Sequence, residues 1–300
     1  MSIVEKALSK LQGSVKPIAE RRPTVETLPS TATRSTIESS APAAAVNKEF
    51  VTRHRVTIDA AALQRAGILP QQADAMTVRN QFRRLKWPVL DEVQARRRES
   101  QPCAGAVMIA SALPGEGKTF TTCNFALSIA REEDRRVILV DGDIAKAHLT
   151  DVFGLRERPG ITEFLSQPSL TLADVLVATS IERLYLIPAG KFVAHVSELL
   201  SSGRMFQLLQ ELTDSGPGVV VLLDTSPVMA TNEAQVLSRV VPQIVLVVRA
   251  DDTPQSAVLE ACNILGREKT SAVLNQAHGW IEGDAYNAGY GYYANEERER

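Results

Sequence analysis

The chain has 300 residues, 44% of them hydrophobic and 23% charged, and a net charge of −2. That length suits one large domain or two small ones, the composition is that of a globular protein, and the near-zero charge argues against nucleic acid as a partner. The three cysteines, Cys103, Cys123 and Cys262, are too scattered for a metal site or a disulfide framework, and no run approaches the ~20 apolar residues that span a bilayer.

In chain order, Ser2 to Leu11 places Ile3, Val4, Ala7, Leu8 and Leu11 on one side of a helical period, which predicts a short amphipathic helix. The first residues mix Glu5, Lys6 and Lys10 with apolar ones and lack a signal-peptide pattern, so a cytoplasmic location is expected. The segment that follows is rich in Pro, Ser, Thr and Ala (PSTATRSTIESSAPAAA). It has too little apolar surface to offset chain entropy, so residues 1–50 read as a short helix and a disordered linker. Residues 51–103 form a basic helical lead-in. Arg79, Arg83, Arg84, Lys86, Arg96, Arg97 and Arg98 there outnumber Asp91 and Glu92, and such a run ordinarily marks a solvated helix face.

From residue 104 to 281 short apolar runs alternate with helical stretches. The runs are Ala106 to Ala110, Val137 to Val140, Leu184 to Ile187, Val219 to Leu223, Ile244 to Val248 and Ala272 to Leu274. Lys118 to Arg131, Ser197 to Thr213, Thr231 to Val240 and Gln255 to Leu265 read as helices. Nearly continuous apolar strands imply burial on both faces, hence an α/β domain with a doubly wound, mostly parallel sheet. Ligands of such a sheet bind at the carboxyl ends of its strands.

Three motifs lie at those ends. The first is ASALPGEGKTF, residues 110–120, between a strand and a helix. Gly115 and Gly117 let the backbone curl so that the N–H groups of Pro114–Phe120 (Pro114 itself has none) face phosphates. Lys118 adds a positive charge, Thr119 offers a hydroxyl to Mg²⁺, and the helix start favours anions. The pattern departs from a strict P-loop at one place, Ala112 standing where glycine is usual. The second motif, VILVDGD, ends a strand in Asp141 and Asp143. The third, VVVLLDTSP, ends one in Asp224, the arrangement in which a carboxylate orders Mg²⁺ beside a nucleoside triphosphate. Any one of the three has an ordinary structural reading; three in order on one sheet are specific.

The last signal is compositional. Of five tyrosines, Tyr286, Tyr290, Tyr292 and Tyr293 fall in the segment DAYNAGYGYYANEERER. Glycines at 283, 289 and 291 make residues 282–300 read as a flexible tail whose phenols can reach an active site.

With these residues in view, the chain from about residue 75 onward resembles the bacterial tyrosine kinases of polysaccharide export, and within them the exosortase-associated tyrosine autokinase group. The resembling stretches include SALPGEGKTFTTCNFALSIA, RVILVDGDIAKAHL, FGLRERPGITEFL, SELLSS and LLDTSPVMATNEAQVL. The resemblance implies the P-loop NTPase fold shared with the MinD/ParA ATPases, ATP and Mg²⁺ as cofactors, and autophosphorylation of the tail tyrosines. It implies catalytic roles for Lys118, Asp141, Asp143 and Asp224, with Asp141 accepting the tyrosine proton. Metal contacts would come from Thr119, Asp143 and Asp224, and Asn275 would lie near the adenine. It also implies a homo-oligomer activated by a membrane polysaccharide copolymerase, which would hold the protein at the inner face of the plasma membrane. MinD/ParA ATPases carry a lysine five residues before the P-loop lysine, where this chain has Leu113, and that difference favours the kinase branch. Two departures from the kinases stand out. Ala145 and Lys146 follow Asp143 where many relatives place an arginine, and the assembly motif Glu-x-x-Arg-x-x-Arg reads here as Asn80, Arg83 and Lys86. The competing readings are a MinD/ParA-like ATPase and a non-catalytic, ATP-dependent scaffold of an export complex.

Overall fold

The computed structural model describes residues 50–277; the expectations for residues 1–49 and for the tyrosine tail lie outside the described residues. The chain begins with β1 (His54–Val56), α1 (Ala60–Arg65), α2 (Ala75–Arg98), β2 (Ala106–Ser111), α3 (Lys118–Ile129) and β3 (Arg136–Asp141). It continues through α4 (His148–Val152), α5 (Ile161–Ser166), α6 (Leu172–Val175), β4 (Val177–Thr179) and β5 (Leu184–Ile187). It closes with α7 (Val196–Leu200), α8 (Gly203–Asp214), β6 (Val219–Asp224), α9 (Glu233–Ser238), β7 (Gln243–Arg249), α10 (Gln255–Leu265) and β8 (Thr270–Asn275).

The strands form one sheet in the order β1-β4-β5-β3-β6-β2-β7-β8, parallel throughout except for the antiparallel β4–β5 pair. Every residue of β2, β3, β5 and β6 is buried, as continuous apolar runs require when both faces are covered. Alternation along each strand sends side chains to opposite faces. Met108 and Ala110 join a core with α5, α7, α8 and α9, and Val107 and Ile109 join a second core with α2 and α3. This is the P-loop NTPase fold. β2 lies inside the sheet between β6 and β7, so the loop that follows β2 opens beside the end of β6, whose other neighbour is β3.

The expected helix over Ser197 to Thr213 is two helices, α7 and α8. The chain breaks at Ser201 and Ser202, and the Ser202 hydroxyl accepts the N–H of Met205 as a new N-cap. The helix expected over Thr231 to Val240 is shorter, Glu233–Ser238. β1 and β4, three residues each, carry too short a pattern to be seen in the sequence.

The basic run also needs correction. α2 buries Phe82, Lys86, Val89, Leu90 and Val93 along one stripe, and Phe82 meets Phe125 of α3 edge-on at 5.3 Å. Lys86 is not a surface contact, for it is only 3% exposed. Its ammonium donates to the Ser128 carbonyl at 3.1 Å and pairs with Glu132, neutralising the carboxyl end of α3. The Arg97 guanidinium likewise donates to the carbonyls of Thr213, Gly216 and Val219, closing the turn from α8 into β6. Asn80 and Arg83 remain exposed. Lys86→Glu should therefore cost on the order of 3 kcal/mol, because it buries a carboxylate beside Glu132. Arg83→Glu should leave stability nearly unchanged. Urea unfolding of both variants checks this, and equal midpoints would contradict the buried role of Lys86.

Candidate active site

β2 hands the chain to a loop that returns as α3 at Lys118. Gly115 and Gly117 adopt φ of +82° and +89°, the left-handed region that other side chains resist. At Gly117 a Cβ would also fall 2.0 Å from the amide nitrogen of Asn275. Ala112 needs no such freedom. Its methyl is part of the core, and its carbonyl accepts the N–H of Met229 at 3.2 Å, so the departure from the usual glycine is accommodated by packing.

Glu116 braces the loop from below. It is 2% exposed; its carboxylate accepts the Leu113 N–H at 2.7 Å and the Thr253 hydroxyl. Its carbonyl accepts Nδ2 of Asn275 at 2.9 Å. The loop is thus tied to the segment after β7 and to the end of β8. Asn275 also lines a groove of about 580 Å³ with Phe120, Thr121 and Val273.

The carboxylates gather at the ends of β3 and β6, where Asp141 and Asp224 are register partners. Gly142 permits this approach, since a Cβ there would stand 2.9 Å from the Asp224 carbonyl. Asp224 accepts the hydroxyls of Thr119 at 2.7 Å and Thr122 at 3.1 Å. Asp141 is wholly buried. Its Oδ2 accepts both the N–H and the hydroxyl of Thr150 at 2.7 Å, and its Oδ1 accepts the Asp143 N–H at 3.2 Å. Asp143, only 8% exposed, lines a cleft of about 330 Å³ with Pro114, Gly115, Gly117, Lys118, Thr119 and Phe120. Lys146 and His148 line the same cleft.

Burial dominates the electrostatics. It raises Asp141 to about 7 and Asp224 to about 6, despite the threonine hydrogen bonds that favour their charged forms, and it also raises Asp143. Burial lowers Lys118, while Asp224, Asp143 and Glu116 pull it back up.

Of the sequence-derived residues, Pro114, Gly115, Gly117, Lys118, Thr119, Phe120 and Asp143 therefore surround one cleft, while Glu116 is buried beneath the loop and braces it. Asp224 lies beneath the cleft, Asp141 behind it, and Asn275 on its flank. Tyr286, Tyr290, Tyr292 and Tyr293 lie outside the described residues. Thr122, Thr150, Thr253 and Glu233, which crowds Asp143 electrostatically, were not singled out by sequence. Only the helical spacing of Thr122 from Lys118 could have marked one of them. The set Thr119, Asp143 and Asp224 consists of hard oxygen donors, the chemistry that Mg²⁺ requires. Lys118 and the loop amides fit phosphate.

Two predictions follow from this geometry. Gly117→Ala meets both a forbidden φ and Asn275, so phosphate-ligand affinity should fall by about tenfold or more. Calorimetry with ADP measures this, and unchanged affinity would mean the loop is not the phosphate site. The second concerns pH in metal- and nucleotide-free protein. Asp141 and Asp224 hold protons in the folded state at a pH where the unfolded chain has lost them, so stability should fall as pH rises from about 4 to 7. Melting at pH 5 should exceed melting at pH 7.5 by a few degrees, and Asp224→Asn should shrink the difference. A flat profile in the parent protein would contradict the raised carboxylates.

No family model matches the sequence. The tyrosine-protein kinase YwqD of Bacillus subtilis is 30% identical over 195 residues, which cover 64% of this chain and 78% of the relative. The tyrosine-protein kinase ptk of Acinetobacter johnsonii is 31% identical over 186 residues, 62% of this chain but 24% of that longer protein, so the chain spans about a quarter of it. Among solved structures, the kinase domain of the Escherichia coli tyrosine kinase ETK is similar with a TM-score of 0.52 and 26% identity, covering 61% of this chain and 73% of that one. The relatives are named at the level of the kinase family and not of the exosortase-associated group. The site geometry and these relatives together place the chain in the family of bacterial tyrosine-protein kinases.

Proposed function

We propose that the chain transfers the γ-phosphoryl group of ATP to the tyrosines of its own tail, Tyr286, Tyr290, Tyr292 and Tyr293, in the service of polysaccharide export. The observation that carries this reading is the convergence of Lys118, Thr119 and Asp143 on one cleft, with Asp224 bonded to Thr119 beneath it and Asp141 beside Asp224 in the sheet. Phosphoryl transfer asks chiefly for positioning and charge stabilisation. The loop amides and Lys118 hold the phosphates. Thr119, Asp143 and Asp224 would hold Mg²⁺, which when bound neutralises charge on the phosphates.

Asp141 is the proton acceptor in this proposal. A free phenol titrates near 10, so the reaction benefits from a base, and a carboxyl raised to about 7 is well matched to that task. Thr150 and the 142–143 backbone cover Asp141 in the described structure, so the proposal requires the turn between Asp143 and Thr150 to part when the tyrosine enters. Among the described residues no helix is long and apolar enough to cross a membrane. Recruitment to the membrane is assigned to a polysaccharide copolymerase, and the active form to a homo-oligomer.

Purified protein incubated with Mg-ATP should gain phosphate on the four tail tyrosines. Replacing all four with Phe should abolish nearly all labelling while ATP binding persists. Lys118→Met should slow transfer by on the order of 10²-fold, the usual effect of losing one electrostatic stabiliser. Asp141→Asn should spare ADP binding and slow transfer, whereas Asp143→Asn and Asp224→Asn should weaken Mg²⁺ dependence. Mass spectrometry and calorimetry read these outcomes. Phosphate on Tyr185 instead, or ATP hydrolysis with no tyrosine labelled, would hand the chain to the ATPase or scaffold reading.

A further inference from the structure

The connector between α1 and α2 borders two spaces. Ala66, Gly67 and Ile68 line the phosphate cleft. Leu69 and Pro70 line a separate cavity of about 280 Å³, bounded on its other sides by residues of α2 and α3. Neither nucleotide binding nor phosphoryl transfer uses this second cavity.

Two guanidiniums from different elements face it. Arg79 comes from α2, and Arg131 from the turn just after α3. They stand close enough to oppose one another: burial, and then the Arg79 charge, push Arg131 below the ordinary guanidinium range. Among the described residues no carboxylate pairs with either. Glu132, next to Arg131 in the chain, is taken by Lys86.

Solvation would account for two exposed arginines, but Ser128 calls for more. It lines the same cavity and is only 4% exposed, yet its hydroxyl has no hydrogen-bond partner among the described residues. A buried hydroxyl without a partner is costly, and a ligand oxygen would remove that cost. Asn124, also buried, donates its Nδ2 to the carbonyls of Ile68 at 2.9 Å and Phe120 at 2.8 Å, which leaves its oxygen as an acceptor. Leu69 and Leu127 add apolar surface. Two guanidinium forks and a hydroxyl suit the oxygens of a phosphate. One acceptor and an apolar wall suit a compact body that carries a hydroxyl. The volume is just under the usual range for small-molecule sites, about 300–1,000 Å³, and fits a phosphate carried on a single ring.

We propose that this cavity is a second binding site, for a compact phosphomonoester held by Arg79, Arg131 and Ser128. It is separate from the phosphate loop and does not rest on the autokinase reading. It reaches the nucleotide through Asn124, for the amide that borders the cavity also holds the Ile68 carbonyl, and Ile68 lines the phosphate cleft. A ligand here steadies the connector that both sites share, so each ligand tightens the other.

The test uses the full chain saturated with Mg-ADP, which fills the phosphate loop, and titrates glucose 1-phosphate, glucose and inorganic phosphate by calorimetry. Glucose 1-phosphate should bind and glucose should not. Arg79→Ala, Arg131→Ala and Ser128→Ala should each weaken the binding by about tenfold. Both arginines are exposed, so their replacement should keep the fold, and ADP affinity without the sugar phosphate should stay within about twofold. Vesicles containing phosphatidic acid carry the same monoester on a lipid. Retention on them that needs both arginines, with no binding of glucose 1-phosphate, assigns the ester to a headgroup. Inorganic phosphate binding as tightly as glucose 1-phosphate removes the organic body from the proposal. No binding by glucose 1-phosphate, phosphate or vesicles, or binding that both arginine variants retain in full, overturns the site. ADP affinity unmoved by saturating glucose 1-phosphate overturns the coupling through Asn124.

Discussion

The structure turns on two carboxylates held side by side in the interior of the sheet. Asp141 and Asp224 end adjacent parallel strands, in register, and neither has meaningful exposure. Placing them there is costly, and the fold compensates with hydroxyls, Thr119 and Thr122 for one and Thr150 for the other, and with the Lys118 charge near Asp224. The compensation is partial, since both groups titrate well above ordinary carboxylates. Such a site has a standing electrostatic demand for positive charge, and Lys118 meets only part of it.

The phosphate loop depends on this arrangement from the other side. Its curl needs Gly115 and Gly117, but its position is set by Glu116, which reaches the segment after β7, and by Asn275 at the end of β8. Strands on both sides of β2 therefore hold the nucleotide site, β3 and β6 through carboxylates and β7 and β8 through the loop. A preorganised set of donors is the form in which electrostatic stabilisation is most effective.

Much of this was legible in the amino-acid sequence, because parallel strands buried on both faces and phosphate loops leave dense local signals. The motifs ending in Asp141, Asp143 and Asp224, and the loop through Lys118, needed only strand ends and glycines to be read. What stayed hidden was long-range. Thr150 is nine residues from Asp141 and signals nothing until α4 turns it back. Thr253 meets Glu116 across 137 residues. Lys86 looked like part of a solvated charge run because composition does not show where an ammonium finds its acceptors. Here they are the carboxyl end of α3 and Glu132. The break between α7 and α8 was written in Ser201 and Ser202, but two serines are a weak stop when apolar spacing continues across them.

The placement of β1 has a consequence for how the chain is made. His54 pairs with Val177, and 177 − 54 leaves a separation of 123 residues. At synthesis rates of roughly 5–20 residues per second, β1 leaves the ribosome about 6–25 seconds before its partner strand exists. The apolar stripe of α2 waits less, because Phe125 and Ile129 follow it within a few dozen residues. Early in its life the chain can therefore shelter that helix against α3, while β1 waits for β4 and β2, inside the sheet, waits for strands made later still, β6 and β7.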